Sequence, residues 1–246
     1  SSDLLCFSAK SIHIDLLAIH VTGPHIPAGE SQFAITWAEK HDIPIICLEH
    51  PLFQQESLQN TRDRCYICKK RLIEAIKNLL KRNHDLSRRI CDGSNLDDLK
   101  VYRPGKQALL EEQILSPLQM AHLSKKDIRE LAKKNGLEDP DQPSNACLLT
   151  RFPYDMWIQK DQLHRTGLAE EEIRQVFQKQ KLNLPFRLRL MPEPVLQIAA
   201  IPEDCRDTVR SILERYAFFN PHIYMSDQIS GFFDRELPRS TSLPFL

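Results

Sequence analysis

Apolar and polar positions alternate between two periods along the first half of the chain. Residues 2–11 predict a short helix with Leu4, Leu5, Phe7 and Ala9 as its apolar content. The run Leu16-Leu17-Ala18-Ile19-His20-Val21 is continuously apolar, the pattern of a strand buried on both faces, and Gly23-Pro24 ends it. A helix follows from Ala28 to Lys40, then a second buried strand from Ile43 to Leu48. Residues 51–64 read as a polar loop. A long helix runs from Cys65 to Arg82, and Arg89-Ile90-Cys91 is a short strand entering Asp92-Gly93-Ser94-Asn95. A helix over 107–113 precedes a break at Ser116-Pro117-Leu118. Ser124 with Asp127 three residues later starts a helix that stops at Asn135-Gly136. Helices and strands in this order predict crossover units and a parallel sheet with helices on both faces.

The second half reads differently. Leu168 to Gln180 predicts an amphipathic helix. Phe186 to Leu190 alternates as a half-exposed strand does. A strand over Val195–Ile201, a helix over Glu203–Tyr216 and a strand over His222–Met225 complete a small α+β sandwich. The tail after Gly231 shows no periodicity. The expected organisation is an α/β domain over residues 1–158, a smaller α+β domain over 159–231 and a loose tail over 232–246. His20, inside the first strand, reads as a satisfied core histidine.

Composition changes this picture in two ways. The formal net charge is zero, which argues against a nucleic-acid coat. Seven cysteines at irregular spacing, with no export signal and no bilayer-length apolar run, point to a cytoplasmic chain with metal-binding or reactive thiols. The abrupt start at Ser1-Ser2-Asp3 leads to the expectation that a first strand and its phosphate loop precede it.

Four groups can carry chemistry. Cys65 and Cys68 form a CxxC at a helix start among Arg64, Lys69, Lys70 and Arg71, where thiolate is favoured. That pair suits zinc, part of an iron–sulfur cluster, or a redox couple, with Cys147 as a third ligand. Two cysteines simply packed at a helix start give the same pattern. Asp92, Asp97 and Asp98 follow a strand end. They suit Mg²⁺, and equally a turn with a helix cap. The stretch 143–154 places Cys147, Thr150 and Arg151 within five residues between two prolines. It can hold a sulfur nucleophile beside an anion-binding arm, or a buried cysteine in a linker. Arg187 and Arg189 share one strand face by alternation and can clamp a phosphate or carboxylate, or line a solvated face.

The ordered set Asp63-Arg64-Cys65-Tyr66-Ile67-Cys68-Lys69, Asp92-Gly93-Ser94-Asn95-Leu96-Asp97-Asp98, Tyr102-Arg103-Pro104-Gly105, Ser116-Pro117-Leu118 and Ala146 to Tyr154 resembles the LarE family. These are ATP-dependent sulfur transferases (sulfur insertases) of the PP-loop ATP pyrophosphatase superfamily. The resemblance implies a Rossmann-like α/β/α sandwich that adenylates a carboxylate of a pyridinium biscarboxylic acid mononucleotide. Sulfur then displaces AMP, a step in making the nickel-pincer cofactor of lactate racemase. It implies catalytic roles for Cys147, Thr150 and Arg151. It implies binding roles for Ser1, Ser2, Asp92, Asn95, Arg103, Arg187 and Arg189, with ATP and Mg²⁺ bound. The sulfur comes from Cys147 itself, leaving dehydroalanine, or from a [4Fe–4S] cluster on Cys65, Cys68 and Cys147. A small-molecule nucleotide substrate and a homo-oligomer are expected, with no nucleic acid and no membrane. An ungapped count back from Arg187 reaches Gln175 where the family's acidic metal ligand is expected, with Glu171 or Glu172 as substitutes. Another PP-loop enzyme such as a tRNA thiolase, or an inactive metal- or partner-binding remnant, remains open at this point.

Overall fold

The computed structural model describes residues 1–27, 29–100, 104–141, 145–234 and 242–244. The chain is mixed α/β and divides into two compact units. Unit 1 comprises Ser1–Thr22, Ser31–Gln54 and Arg62–Pro143; unit 2 comprises Gly23–Glu30, Gln55–Thr61 and Ser144–Leu246.

Unit 1 is built from α1 (Ser2–Ser11), β1 (Ala18–Thr22), α2 (Glu30–Lys40) and β2 (Ile45–Glu49). After β2 come β3 (Ser57–Gln59), which belongs to unit 2, and then α3 (Arg64–Arg82), α4 (Gly105–Glu111), α5 (Pro117–Met120) and α6 (Lys125–Lys134). β1 and β2 pair in parallel from Ala18↔Ile45 to Thr22↔Glu49, joined by the α2 crossover. The expected third strand is shorter than the sequence suggests. It contributes one parallel bridge, Cys91↔Leu115, flanked by Asp92 N–H donating to Leu115 O at 2.8 Å. β1 is half-buried throughout, not buried on both faces, because among the described residues β2 is its only strand neighbour. The Ser116-Pro117-Leu118 break is the start of α5, with proline at the position where a missing N–H costs nothing.

The apolar faces of α1, α2, α5 and α6 meet in one core of Leu4, Trp37, Ala38, Ile43, Leu118, Ile128, Ala132 and Leu137. Truncating a leucine or isoleucine here to alanine costs roughly 2–5 kcal/mol. α6 starts where Ser124 and Asp127 cap each other: the Asp127 N–H donates to Ser124 Oγ, and the Asp127 carboxylate accepts from the Ser124 N–H. Such a cap contributes about 1 kcal/mol.

The ends of α2 and α6 are tied by Glu138, which pairs with Lys40 and accepts from His41 Nε2 at 3.0 Å. Lys40, then His41, hold its carboxyl down to about 2, against about 4.5 unperturbed. A depressed carboxyl contributes stability fully above its unfolded value and loses it as pH falls through the folded one. The urea midpoint difference between wild type and Glu138→Gln is therefore expected to be full at pH 6, to shrink below about 4.5 and to vanish near 2. A pH-independent difference would contradict the pairing.

In unit 2, β3 pairs antiparallel with β4 (Trp157–Gln159), Ser57 facing Gln159. The 51–64 segment is thus not wholly loop: it also contains a 3-10 turn over Pro51–Phe53. α7 (Lys160–Lys179) begins eight residues before the predicted helix start, and buries Leu163, Thr166, Gly167, Ala169, Glu170, Ile173 and Phe177. β5 (Phe186–Leu190), β6 (Pro194–Ile198), α8 (Glu203–Arg215) and β7 (His222–Met225) follow, and β8 (Ser242–Pro244) completes a four-stranded sheet in the order β5-β6-β7-β8. β6 and β7 are parallel, joined by the α8 crossover, and the outer pairs are antiparallel. Leu188, Leu196, Ile198, Val209, Ile212 and Leu213 form its buried interior.

Two expectations change here. β5 is not half-exposed, since Leu188, Arg189 and Leu190 are buried. The segment after Gly231, without periodicity in sequence, carries a 3-10 turn at Phe232–Asp234 with Phe232 buried, and then β8.

Candidate active site

The loop around Cys147 is held from both sides. Leu148 and Leu149 are buried, and the Leu148 N–H donates to His25 O at 2.8 Å. Cys147 stands at the start of a 3-10 turn, Leu148–Arg151. Both the backbone N–H and the hydroxyl of Thr150 donate to the Cys147 carbonyl, at 3.0 and 2.9 Å. Behind the turn, fully buried Asn60 donates through Nδ2 to the carbonyls of Leu149, Phe152 and Pro153 at 3.3, 3.0 and 2.8 Å. The thiol is half-buried on a backbone with few degrees of freedom left.

Arg151 fixes this turn to α7. Its Nε and Nη2 donate to the two oxygens of Glu170 at 2.8 and 2.7 Å, a bidentate pair whose side chains are 3% and 2% exposed. Nη1 donates to Ala146 O at 3.1 Å and to Thr150 Oγ1 at 2.9 Å. Glu170 also accepts the Leu188 N–H of β5 at 2.8 Å. One hydrogen-bonded chain therefore runs from β5 through Glu170, Arg151 and Thr150 to the carbonyl of Cys147.

The two β5 arginines divide their work. Arg189 is buried, and its donors go to Gln197 Oε1 at 2.8 Å, Thr150 O at 2.6 Å and Ile229 O at 2.5 Å. Phe232 lies 4.9 Å from its guanidinium carbon, a cation–π distance. This is the opposite of a solvated strand face. Arg187 is half-buried, and among the described residues it has no hydrogen-bond or ion-pair partner.

The electrostatics follow from counting charge. Three guanidiniums, Arg151, Arg187 and Arg189, repel one another; Glu170 offsets this at Arg187 and Arg189, and Asp234 adds to it at Arg189. Burial first, then Arg187 and Arg151, bring Arg189 down to about 9. Burial, then Arg151, bring Arg187 down to about 10, with Glu170 pulling the other way. Both stay protonated at neutral pH. Each partly desolvated charge is stabilised by an arriving anion, and only Arg187 has donors to offer it fully.

In unit 1, the start of α1 lies against the loop after the bridge: a Cβ added at Gly93 would sit 2.8 Å from Ser2 Oγ and 3.1 Å from Ser2 N. Ser2 thus lies against the turn that Asp92 enters. Asp92 accepts from Ser94 Oγ and Ser116 Oγ, both at 2.6 Å, with Lys69 Nζ 4.0 Å away. Buried Asn95 accepts from the Asp97 N–H, Asp98 accepts from the Asn95 N–H, and Asp97 accepts from the Lys125 N–H. These are the bonds of a turn and of helix starts. Arg103 lies outside the described residues. Cys65 is exposed and Cys68 half-buried in the first turns of α3, in unit 1, whereas Cys147 belongs to unit 2.

Sequence reasoning missed Glu170, Asn60 and Gln197. A signal for Glu170 was present: it falls in line with Leu163, Thr166, Ile173 and Phe177, so a carboxylate sits on the buried stripe of α7 and needs a cation. Asn60 and Gln197 had no such signal. Gln175 is exposed and donates to Glu171, which is paired with Arg174.

Fold and site together define an α/β chain whose second unit presents a thiol turn beside an arginine cluster. No family model matches the chain. Over 166 residues it is 36% identical to an uncharacterised protein of Synechocystis, covering 62% of this chain and 60% of that protein. Over 161 residues it is 34% identical to an uncharacterised protein of Methanocaldococcus jannaschii, 65% of this chain and 60% of the relative. A third relative is the pyridinium-3,5-bisthiocarboxylic acid mononucleotide synthase of Lactiplantibacillus plantarum, 31% identical over 115 residues, 47% of this chain and 41% of the synthase. The chain thus spans about 60% of the length of the first two. Among the described residues no helix is long and apolar enough to cross a membrane.

Proposed function

We propose that this chain acts in ATP-dependent sulfur transfer to a pyridinium biscarboxylic acid mononucleotide. The observation that carries the reading is the similarity to the synthase of a pyridinium bisthiocarboxylic acid mononucleotide. The geometry of unit 2 supports it, because the reaction needs a placed sulfur beside an anion clamp.

A carboxylate is a poor electrophile. Attack of its oxygen on the α-phosphorus of ATP releases pyrophosphate and turns that oxygen into part of an AMP leaving group. The Cys147 thiolate then attacks the carbonyl carbon, and the C–O bond to AMP breaks. Loss of the Cys147 α-proton with cleavage of the Cβ–S bond frees the thiocarboxylate and leaves dehydroalanine. Arg187 holds the substrate phosphate or second carboxylate. Glu170, Arg151 and Thr150 position the turn that carries the thiol, and Arg189 ties that turn to the segment at Ile229. These four act through Cys147 and Arg187 and are positioning residues.

The test uses the whole protein, purified under nitrogen. With ATP and the biscarboxylic acid mononucleotide it is expected to form AMP and pyrophosphate in equal amounts, together with a thiocarboxylate. AMP formation that needs tRNA instead would replace the substrate class. Iron bound in stoichiometric amount, with Cys147 unchanged after turnover, would move the sulfur source to a cluster.

A further inference from the structure

The chain leaves unit 1 for Gln55–Thr61 and returns to it at Arg62. That excursion supplies β3 and, directly after it, Asn60. Asn60 is 0% exposed. Its backbone N–H donates to Met156 O at 2.8 Å, and its carbonyl accepts the Asp155 N–H at 3.0 Å. Its Nδ2 donates to the carbonyls of Leu149, Phe152 and Pro153 at 3.3, 3.0 and 2.8 Å. One buried side chain therefore gathers the backbone from 149 to 156.

The orientation of the amide follows from this crowd of acceptors. Three carbonyl oxygens around one atom require it to be the NH₂ group, since the flipped amide would place a fourth oxygen among them. The opposite end of the amide has no such company. Asn60 Oδ1 is buried and, among the described residues, accepts no hydrogen bond. A buried acceptor without a partner is costly, so the amide is held for what its donors do. Asp155, bonded to the Asn60 carbonyl, has φ 65°, a left-handed backbone that a non-glycine residue adopts rarely. Without the Nδ2 donor the dipoles of the three carbonyls repel one another, and the turn that carries Cys147 and Arg151 loosens.

We infer that Asn60 is a positioning residue for sulfur transfer. Its amide holds the carbonyls of Leu149, Phe152 and Pro153 together and so fixes where the Cys147 thiol meets the activated carboxylate. The inference rests on the sulfur-transfer reading. It adds a residue that acts through the backbone of the turn, independently of the link from Arg151 to Glu170.

Asn60→Asp tests it, because it exchanges the NH₂ for an oxygen at nearly constant volume. The carboxylate then faces three carbonyl oxygens, and the turn shifts without a cavity being opened. The whole protein is given ATP and the biscarboxylic acid mononucleotide, and AMP and thiocarboxylate are both counted. A misplaced thiol loses the adenylate to water, which returns the carboxylate and AMP. Thiocarboxylate formed per AMP should fall roughly 10- to 100-fold. Alkylation of half-buried Cys147 by iodoacetamide should speed up about tenfold relative to exposed Cys47. A merely structural role would lower AMP and thiocarboxylate together and leave their ratio at the wild-type value, and that result would overturn the inference. So would an unchanged alkylation rate at Cys147. Where Asn60→Asp yields no folded protein, Asn60→Ser, which keeps one donor, should move both readouts in the same directions by less; an unaltered ratio there would overturn the inference equally. Wild-type protein that forms neither AMP nor thiocarboxylate would overturn the sulfur-transfer reading instead, and the alkylation rates would still decide whether Asn60 holds the turn.

Discussion

Glu170→Leu is expected to destabilise unit 2 by about 3–5 kcal/mol, because it leaves the Arg151 guanidinium buried without its counter-charge. Both side chains are almost fully enclosed, at 3% and 2% exposure, so water cannot replace the lost carboxylate. The Leu188 N–H loses its acceptor as well. Arg151→Met should cost a similar amount for the mirror-image reason, a buried carboxylate facing no cation. The double variant Arg151→Met/Glu170→Leu removes both charges and should recover most of the loss, far from the sum of the two single effects. Urea unfolding of the full chain, followed by far-UV circular dichroism, measures all three. The double variant should still transfer no sulfur, since the link from α7 to Thr150 and the Cys147 carbonyl is gone. Additive losses would show that the pair is not coupled.

Arg187→Ala should behave in the opposite way, with stability nearly unchanged and affinity reduced. Among the described residues its guanidinium has no hydrogen-bond or ion-pair partner, and its truncation relieves repulsion from Arg151. A charged hydrogen bond is worth about 1.5–3 kcal/mol, so binding of the biscarboxylic acid mononucleotide should weaken roughly 10- to 100-fold by calorimetric titration. Arg187→Lys should recover only part, because an ammonium cannot reproduce a bidentate fork. Arg189→Ala is the control. It removes donors to Gln197, Thr150 and Ile229, so it should appear first as lost stability. Equal effects of the two alanine variants on affinity, with no loss of stability in either, would return both arginines to the substrate.

Local rules made much of this legible in the sequence. The cap at Ser124, the amphipathic stripe of α3 and the crossover order around β1 and β2 all depend on neighbours in sequence, and they appear where the pattern puts them. The failures share a cause. β3 is polar and short, and its partner β4 lies about a hundred residues away in sequence. The burial of Arg189 depends on Thr150, Gln197 and Ile229, which no window around β5 contains. An alternating strand with two arginines reads as half-exposed until those partners are known. The candidate site was legible only as residue types, at Cys147, Thr150, Arg151, Arg187 and Arg189. The difference between the arginines that hold the scaffold and the one that stays open was not, because it rests on tertiary hydrogen bonds. Glu170 lies between these cases: its place on the buried stripe is visible in sequence, and its partner is not.

The central claim is that the sulfur transferred is the one held at the Cys147 turn. Intact-mass analysis of the full polypeptide after a single turnover with ATP and the biscarboxylic acid mononucleotide tests it most directly. The account predicts a protein lighter by one H₂S, with the loss mapped to Cys147 as dehydroalanine and one thiocarboxylate formed per chain. Thiocarboxylate formed while Cys147 keeps its sulfur would contradict it.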